Sequence, residues 1–204
     1  MNIIKKTAAN KTVCIVFWAA ALVYGIVLPF CWGNDPWDVH GTLSLLCENH
    51  IPFFWIWVVL TGGCFLFNNE HMYMKFGGKS RLPEIFLLLS IVGMVLTAAT
   101  LNHSIADWNP KRTVHWIGAI ICIACTALSF LAYFLLNLKF RGFKVLAGIT
   151  AALVVELAVW FFAFGRSGYM EMVPTAAFEI MLFVVNFTSV IKAPEKEPQE
   201  QTAE

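Results

Sequence analysis

The sequence predicts an all-α fold: a polytopic membrane protein built as a six-transmembrane-helix bundle. Three observations carry this expectation. The 204-residue chain is 59% hydrophobic and only 13% charged, about half the charged share of a soluble domain. Six apolar runs follow one another, each of roughly 17–24 residues, the length that crosses about 30 Å of hydrocarbon as a helix. No run alternates with period two, as a membrane strand would have to.

The runs lie at residues 13–32, 52–68, 83–103, 114–137, 145–165 and 172–191, so residues 1–191 are expected to form one transmembrane domain. The second run contains Gly62-Gly63 and is the least regular. The first has about 20 apolar residues and no small-x-small site before Gly33-Asn34-Asp35, so a retained anchor is expected rather than a cleaved signal. Residues 192–204, KAPEKEPQEQTAE, carry no apolar periodicity and are expected to form a disordered cytoplasmic tail.

Orientation follows from the basic residues. Lys5, Lys6, Lys11, Lys75, Lys79, Arg81, Lys139, Arg141, Lys144, Lys192 and Lys196 fall on one side of the predicted membrane, and only Lys111, Arg112 and Arg166 on the other. The positive-inside rule then places both termini in the cytoplasm. A formal net charge of +1 excludes a basic nucleic-acid-binding stripe.

Polar and small residues recur at helical spacing within three runs. The third holds Ser90, Gly93, Thr97, Thr100 and Ser104. The fourth holds His115, Gly118, Cys122, Cys125 or Thr126, and Ser129. The sixth holds Glu171, Thr175, Glu179, Asn186 and Ser189. In lipid such faces turn toward other helices. They read either as helix–helix packing or as the lining of a polar cavity.

Glu156 and Glu179 are the most informative positions, because a carboxylate within a membrane span is costly and marks a functional site by default. Glu156 lies ten residues below Arg166, and Glu179 eight below Glu171. Both are therefore expected roughly 12–15 Å beneath the outer ends of their helices. Side by side they would face one chamber; the plainer reading is a protonated Glu held by a neighbouring polar group.

A second group gathers at the outer rim. His103, Asp107 and His115 flank one loop, and Asp35, Asp38, His40, Glu48 and His50 lie in the long first loop, residues 33–51. No pair has metal-ligand spacing on one helix, so neither a metal nor a cofactor is expected. Cys31 and Cys47 fall on the same side, where a disulfide is open to them. Cys122 and Cys125 sit inside a helix and read as packing. No G-x-S-x-G, P-loop or H-E-x-x-H occurs.

The stretch Val114-His115-Trp116-Ile117-Gly118-Ala119 resembles the V-H-x-x-G-A pattern of a six-span family. That family comprises the damage-regulated autophagy modulators (DRAM), the Frag-type Golgi protein that remodels GPI-anchor lipids, and the yeast Sfk-type proteins. Glu179 in Ala177-Phe178-Glu179 is similar to its last-helix glutamate, and Asp38, Gly41 and Thr42 to its aspartate-glycine-threonine segment. The proline-rich segment that follows there is missing here. A bacterial six-span family of unknown function resembles the chain to the same degree. The resemblance implies lipid-linked biology in the plasma membrane or endomembranes.

The expected function is an outward-facing polar pocket that binds or helps remodel a lipid or lipid-anchored head group. Glu156, Glu179 and His115 would line it, with His103, Asp107 and Arg166 at its mouth. The alternatives are an intramembrane lipid hydrolase or transferase, a small transporter, and a non-catalytic partner-binding subunit. Membrane lipids are the expected partners, with a homo-oligomer or a membrane-protein partner also open.

Overall fold

The computed structural model describes residues 3–38, 41–77, 80–101, 110–165 and 167–192. Among these residues no strand occurs, and six helices are long and apolar enough to cross a membrane. The chain is an integral membrane protein. A short helix α1 (Ile3–Ala8) leads into α2 (Lys11–Val27), which ends in a 3₁₀ turn at Leu28–Gly33. A small helix α3 (Leu43–Leu46) and a second 3₁₀ turn (Cys47–Asn49) precede α4 (Ile51–Phe76). Then come α5 (Leu82–Ala99), α6 (Pro110–Leu136), α7 (Arg141–Phe164) and α8 (Tyr169–Phe187). The end of the bundle that carries α3 is called the rim, and the opposite end, with Lys11, Lys75 and Arg141, the basic end.

Local chemistry sets the element ends. The Asn10 side chain accepts the amides of Thr12 and Val13 at 3.1 and 3.3 Å and caps α2. At the rim the first span turns through Trp32, whose φ of +57° is the left-handed region that non-glycine residues avoid. Its indole stacks on the His50 ring with centroids 4.0 Å apart, which holds that turn against the start of α4.

The second span is longer than its apolar run. Asn68-Asn69-Glu70-His71 read as its end, yet α4 continues to Phe76 because neighbouring elements meet these polar groups. Asn68 Nδ2 donates to the carbonyls of Cys14 and Cys64 at 3.1 and 3.0 Å. His71 Nδ1 bonds the Ala8 carbonyl at 2.8 Å, so α1 lies along this extension. Lys75 Nζ donates to the Val185 and Asn186 carbonyls near the C-terminal end of α8, at 2.7 and 3.0 Å. A cation there also complements the helix dipole. Gly63 admits α2 closely: a Cβ at that position would lie 2.5 Å from the Phe17 ring. The residues of the expected tail beyond Lys192 lie outside the described residues.

The tightest pair is α5 with α6, and here the small-residue seams meet each other. A Cβ on Gly93 would sit 2.6 Å from the Cys122 amide nitrogen and 2.7 Å from the Gly118 carbonyl oxygen. Around this backbone contact Ser90 Oγ bonds Thr126 Oγ1 at 2.6 Å, and Ser129 Oγ donates to the Pro83 carbonyl at 2.8 Å. The third and fourth seams are therefore packing surfaces for each other. Toward the basic end an aromatic core of Phe76, Phe130, Tyr133, Phe134, Phe143 and Phe178 joins α4, α6, α7 and α8. Toward the rim a second cluster of Leu28, Leu43, Phe54, Trp57, Met94 and Leu101 joins the first loop to α4 and α5. Helix α7 packs on α6 and touches α8 sparsely.

Gly93→Leu is expected to lower the unfolding midpoint in detergent, because overpacking a well-filled contact costs about 1–3 kcal/mol and here the clash is with backbone. Gly148→Leu is the control, since a Cβ there meets nothing within 4 Å. Equal midpoints for the two variants, read by intrinsic fluorescence on heating, would contradict the close α5–α6 contact.

Candidate functional site

The first loop is pinned to the start of α8. Tyr169 donates its amide to the Pro36 carbonyl at 3.0 Å. Gly168 permits this approach, since a Cβ on it would lie 2.5 Å from the Gly41 carbonyl oxygen. One turn further along α8, the Glu171 carboxylate accepts the Leu43 amide at 2.5 Å and also the Ser44 amide. These are the free amides at the start of α3, and the Thr42 side chain caps the Leu45 amide beside them. The two bonds together contribute about 1–3 kcal/mol, at about 0.5–1.5 kcal/mol net each. Glu171 thus closes the rim over α8.

Beneath this roof is a cavity of about 540 Å³, bounded by α6, α7, α8 and the first loop. Small-molecule sites fall in this size range, roughly 300–1,000 Å³. Ala127, Leu153 and Phe178 form its floor, against the aromatic core. Ile120, Ile123, Val154, Leu157 and Phe161 form apolar walls. The polar lining collects at the rim: Thr42, Ser44, Glu48, Arg112, His115 and Glu171, with Ser167. Ile120 and Phe162 line the cavity and are also 62% and 86% exposed, so it opens sideways between α6 and α7. The space is amphipathic, polar at the rim and apolar below.

Of the expected site residues that are described, His115 is the one that lines the cavity. It is buried, and its Nδ1 lies 3.0 Å from the Thr97 carbonyl oxygen. A carbonyl only accepts, so Nδ1 carries a hydrogen in this contact. Glu156 and Glu179 do not line the cavity. The Glu156 carboxylate accepts the Tyr169 hydroxyl, and Tyr169 also stacks on Trp160, whose indole N–H donates to Ser167 Oγ at 3.1 Å. Glu179 is buried, and Trp18 Nε1 on α2 donates to its backbone carbonyl at 2.9 Å. The expected shared chamber is not formed, because equal depth fixes the height of a side chain and not the direction it faces. His103, Asp107 and Arg166 lie outside the described residues, as does His40.

Glu171, Arg112 and Ser44 also line the cavity and were not among the expected site residues, and Glu48 was expected only as part of the rim group. Arg112 stands one turn before His115, an i, i+3 pair on one face, which was a readable signal. The Glu171 pairing had none, since it joins residues 128 apart in the chain. Among the described residues no three His, Cys, Asp or Glu side chains are grouped to hold a metal ion. Cys31 and Cys47 carry free thiols.

Cys47 reports on the clamp. It has no exposed surface, and burial pushes its thiol up to about 12, with Glu171 and then Cys31 adding to the rise. An exposed thiol ionises near about 8.5, so its maleimide labelling accelerates from pH 7 to 9 while that of Cys47 should stay low throughout. Glu171→Ala should raise Cys47 labelling roughly five- to hundredfold, the change in opening that about 1–3 kcal/mol produces. Site-resolved mass spectrometry reads this directly. Unchanged labelling would mean that Glu171 does not hold the loop.

Comparison of the chain with protein-family models, curated proteins and solved structures finds no match.

Proposed function

We propose that this membrane protein binds a membrane lipid in the cavity between α6, α7 and α8, with the head group at the rim and an acyl chain lying between α6 and α7. The observation that carries this reading is the division of the cavity into a polar cap and an apolar body with a lateral opening. A soluble metabolite has no use for an opening through the lipid-facing side. An amphiphile does, because its chain reaches the cavity without leaving hydrocarbon.

The cap favours a phosphate-bearing head group that also carries a positive charge. Arg112 offers a planar fork for phosphate oxygens, and Glu48 supplies a carboxylate for an ammonium. Glu171 is committed to the α3 amides and serves as support. The resemblance to a family linked to lipid remodelling points the same way, and the distribution of basic residues puts the rim at the non-cytoplasmic leaflet.

A lipid hydrolase or transferase is the second reading. The Nδ1 bond of His115 to Thr97 favours it, because that bond orients an imidazole, a common general base, within the cavity lining.

Native mass spectrometry of the purified protein tests the first reading. Wild type should carry a phospholipid, Ala124→Trp should lose it by filling the apolar wall, and Arg112→Gln should weaken retention roughly tenfold, about 1.4 kcal/mol. Equal lipid content in all three would contradict the site. A cleaved lipid in wild type, intact in His115→Ala, would favour the enzyme.

A further inference from the structure

A second polar group lies away from the cavity, on the seam between α4 and α8. Asn186 Nδ2 donates to the Asn68 carbonyl at 2.8 Å, which fixes the register of the two helices. Both run from rim to basic end, and both residues stand seventeen positions along. A helix face repeats at about seven residues. Seven positions nearer the rim, the same faces carry Thr61 on α4 and Glu179 on α8, at matching depth. That depth is roughly 15 Å below the rim, near the middle of the hydrocarbon.

The oxygens of this seam lack donors. Thr61 Oγ1, Asn68 Oδ1, Asn69 Oδ1, Asn186 Oδ1 and both carboxylate oxygens of Glu179 are buried without a hydrogen-bond partner among the described residues. Flipping the amides does not help. Asn68 Nδ2 already serves the Cys14 and Cys64 carbonyls, Asn69 Nδ2 the Phe65 carbonyl at 2.8 Å, and Asn186 Nδ2 the Asn68 carbonyl. Each nitrogen is used and each oxygen is left over. The donors at hand are the Thr61 hydroxyl, the Cys64 thiol, which accepts from Asn68 Nδ2 and keeps its own hydrogen, and, if Glu179 is neutral, one proton. Acceptors still outnumber donors, which in a membrane interior calls for a bound donor or a cation.

We propose that Glu179 and Thr61 hold a single monovalent metal cation, Na⁺ by chemistry, at the centre of the α4–α8 seam. One carboxylate matches one positive charge. An oxygen-only donor set suits a hard cation and is the wrong set for zinc. The nearest sulfur, Cys64, already interacts with the Asn68 amide at 3.7 Å. The cation would tie α4 to α8 on the side of the bundle opposite the lipid cavity.

The test is thermal unfolding of the full chain in detergent, in NaCl, KCl and choline chloride at equal ionic strength. Wild type should show a saturable rise of a few degrees in NaCl over choline, smaller in KCl. Glu179→Gln, an isostere of the protonated acid, should lose the Na⁺ response, and Thr61→Val should weaken it. No Na⁺-specific shift in wild type would overturn the proposal without needing any variant to fold. So would a shift of the same size in Glu179→Gln, or a Gln variant as stable as wild type in NaCl, which would assign Glu179 a proton alone.

Discussion

The grip of Glu171 on the first amides of α3 is the contact on which the cavity-bearing half of the molecule depends. Without it, α3 would lose its bond to α8, and the first loop would rest on the Tyr169–Pro36 bond, the Trp37–Tyr169 ring contact and the cluster around Leu43. With it, Thr42, Ser44 and Glu48 are carried over α8 to stand with Arg112 and His115. A single side chain meets two physical demands. It satisfies amides that the rim would otherwise leave bare, and it holds a carboxylate where backbone dipoles receive it.

The bundle has a rigid side and a looser one. On the rigid side α5 and α6 touch through backbone at Gly93 and Gly118, and α4 is bonded to α1, α2 and α8 by its polar extension. On the looser side α7 is anchored by the aromatic core near the basic end and has little contact with α8. The cavity occupies the gap this leaves. Close packing on one face and a gap on the other leave the bundle a space of the size that small-molecule sites have.

The helix count was legible because each apolar run is as long as the bilayer is thick. The α5 and α6 seams were legible as interfaces because Ser90, Gly93 and Thr97 on one, and His115, Gly118 and Thr126 on the other, recur at helical spacing. The length of α4 was not. Asn68 to His71 look like a loop until Cys14, Ala8 and Asn186 supply partners, and those partners come from distant parts of the chain. The depth of Glu156 and Glu179 was readable from the rise per residue, but their direction was not. Direction depends on which neighbour each one meets: Tyr169 for Glu156, and the α2 side, through Trp18, for Glu179. His115 was found from its position at the head of a helix, whereas Glu171 was counted only as part of a seam.

The central claim is that the space between α6 and α7 is a lipid site rather than a gap in packing. Photolabelling of the purified protein with a phospholipid that carries a diazirine on its acyl chain tests this most directly. Saturable labelling at Ile123, Leu157 and their neighbours on the cavity walls, displaced by unlabelled lipid, is the result the account predicts. Labelling that does not saturate and is spread evenly over outward-facing residues such as Val92 and Val155 would contradict it.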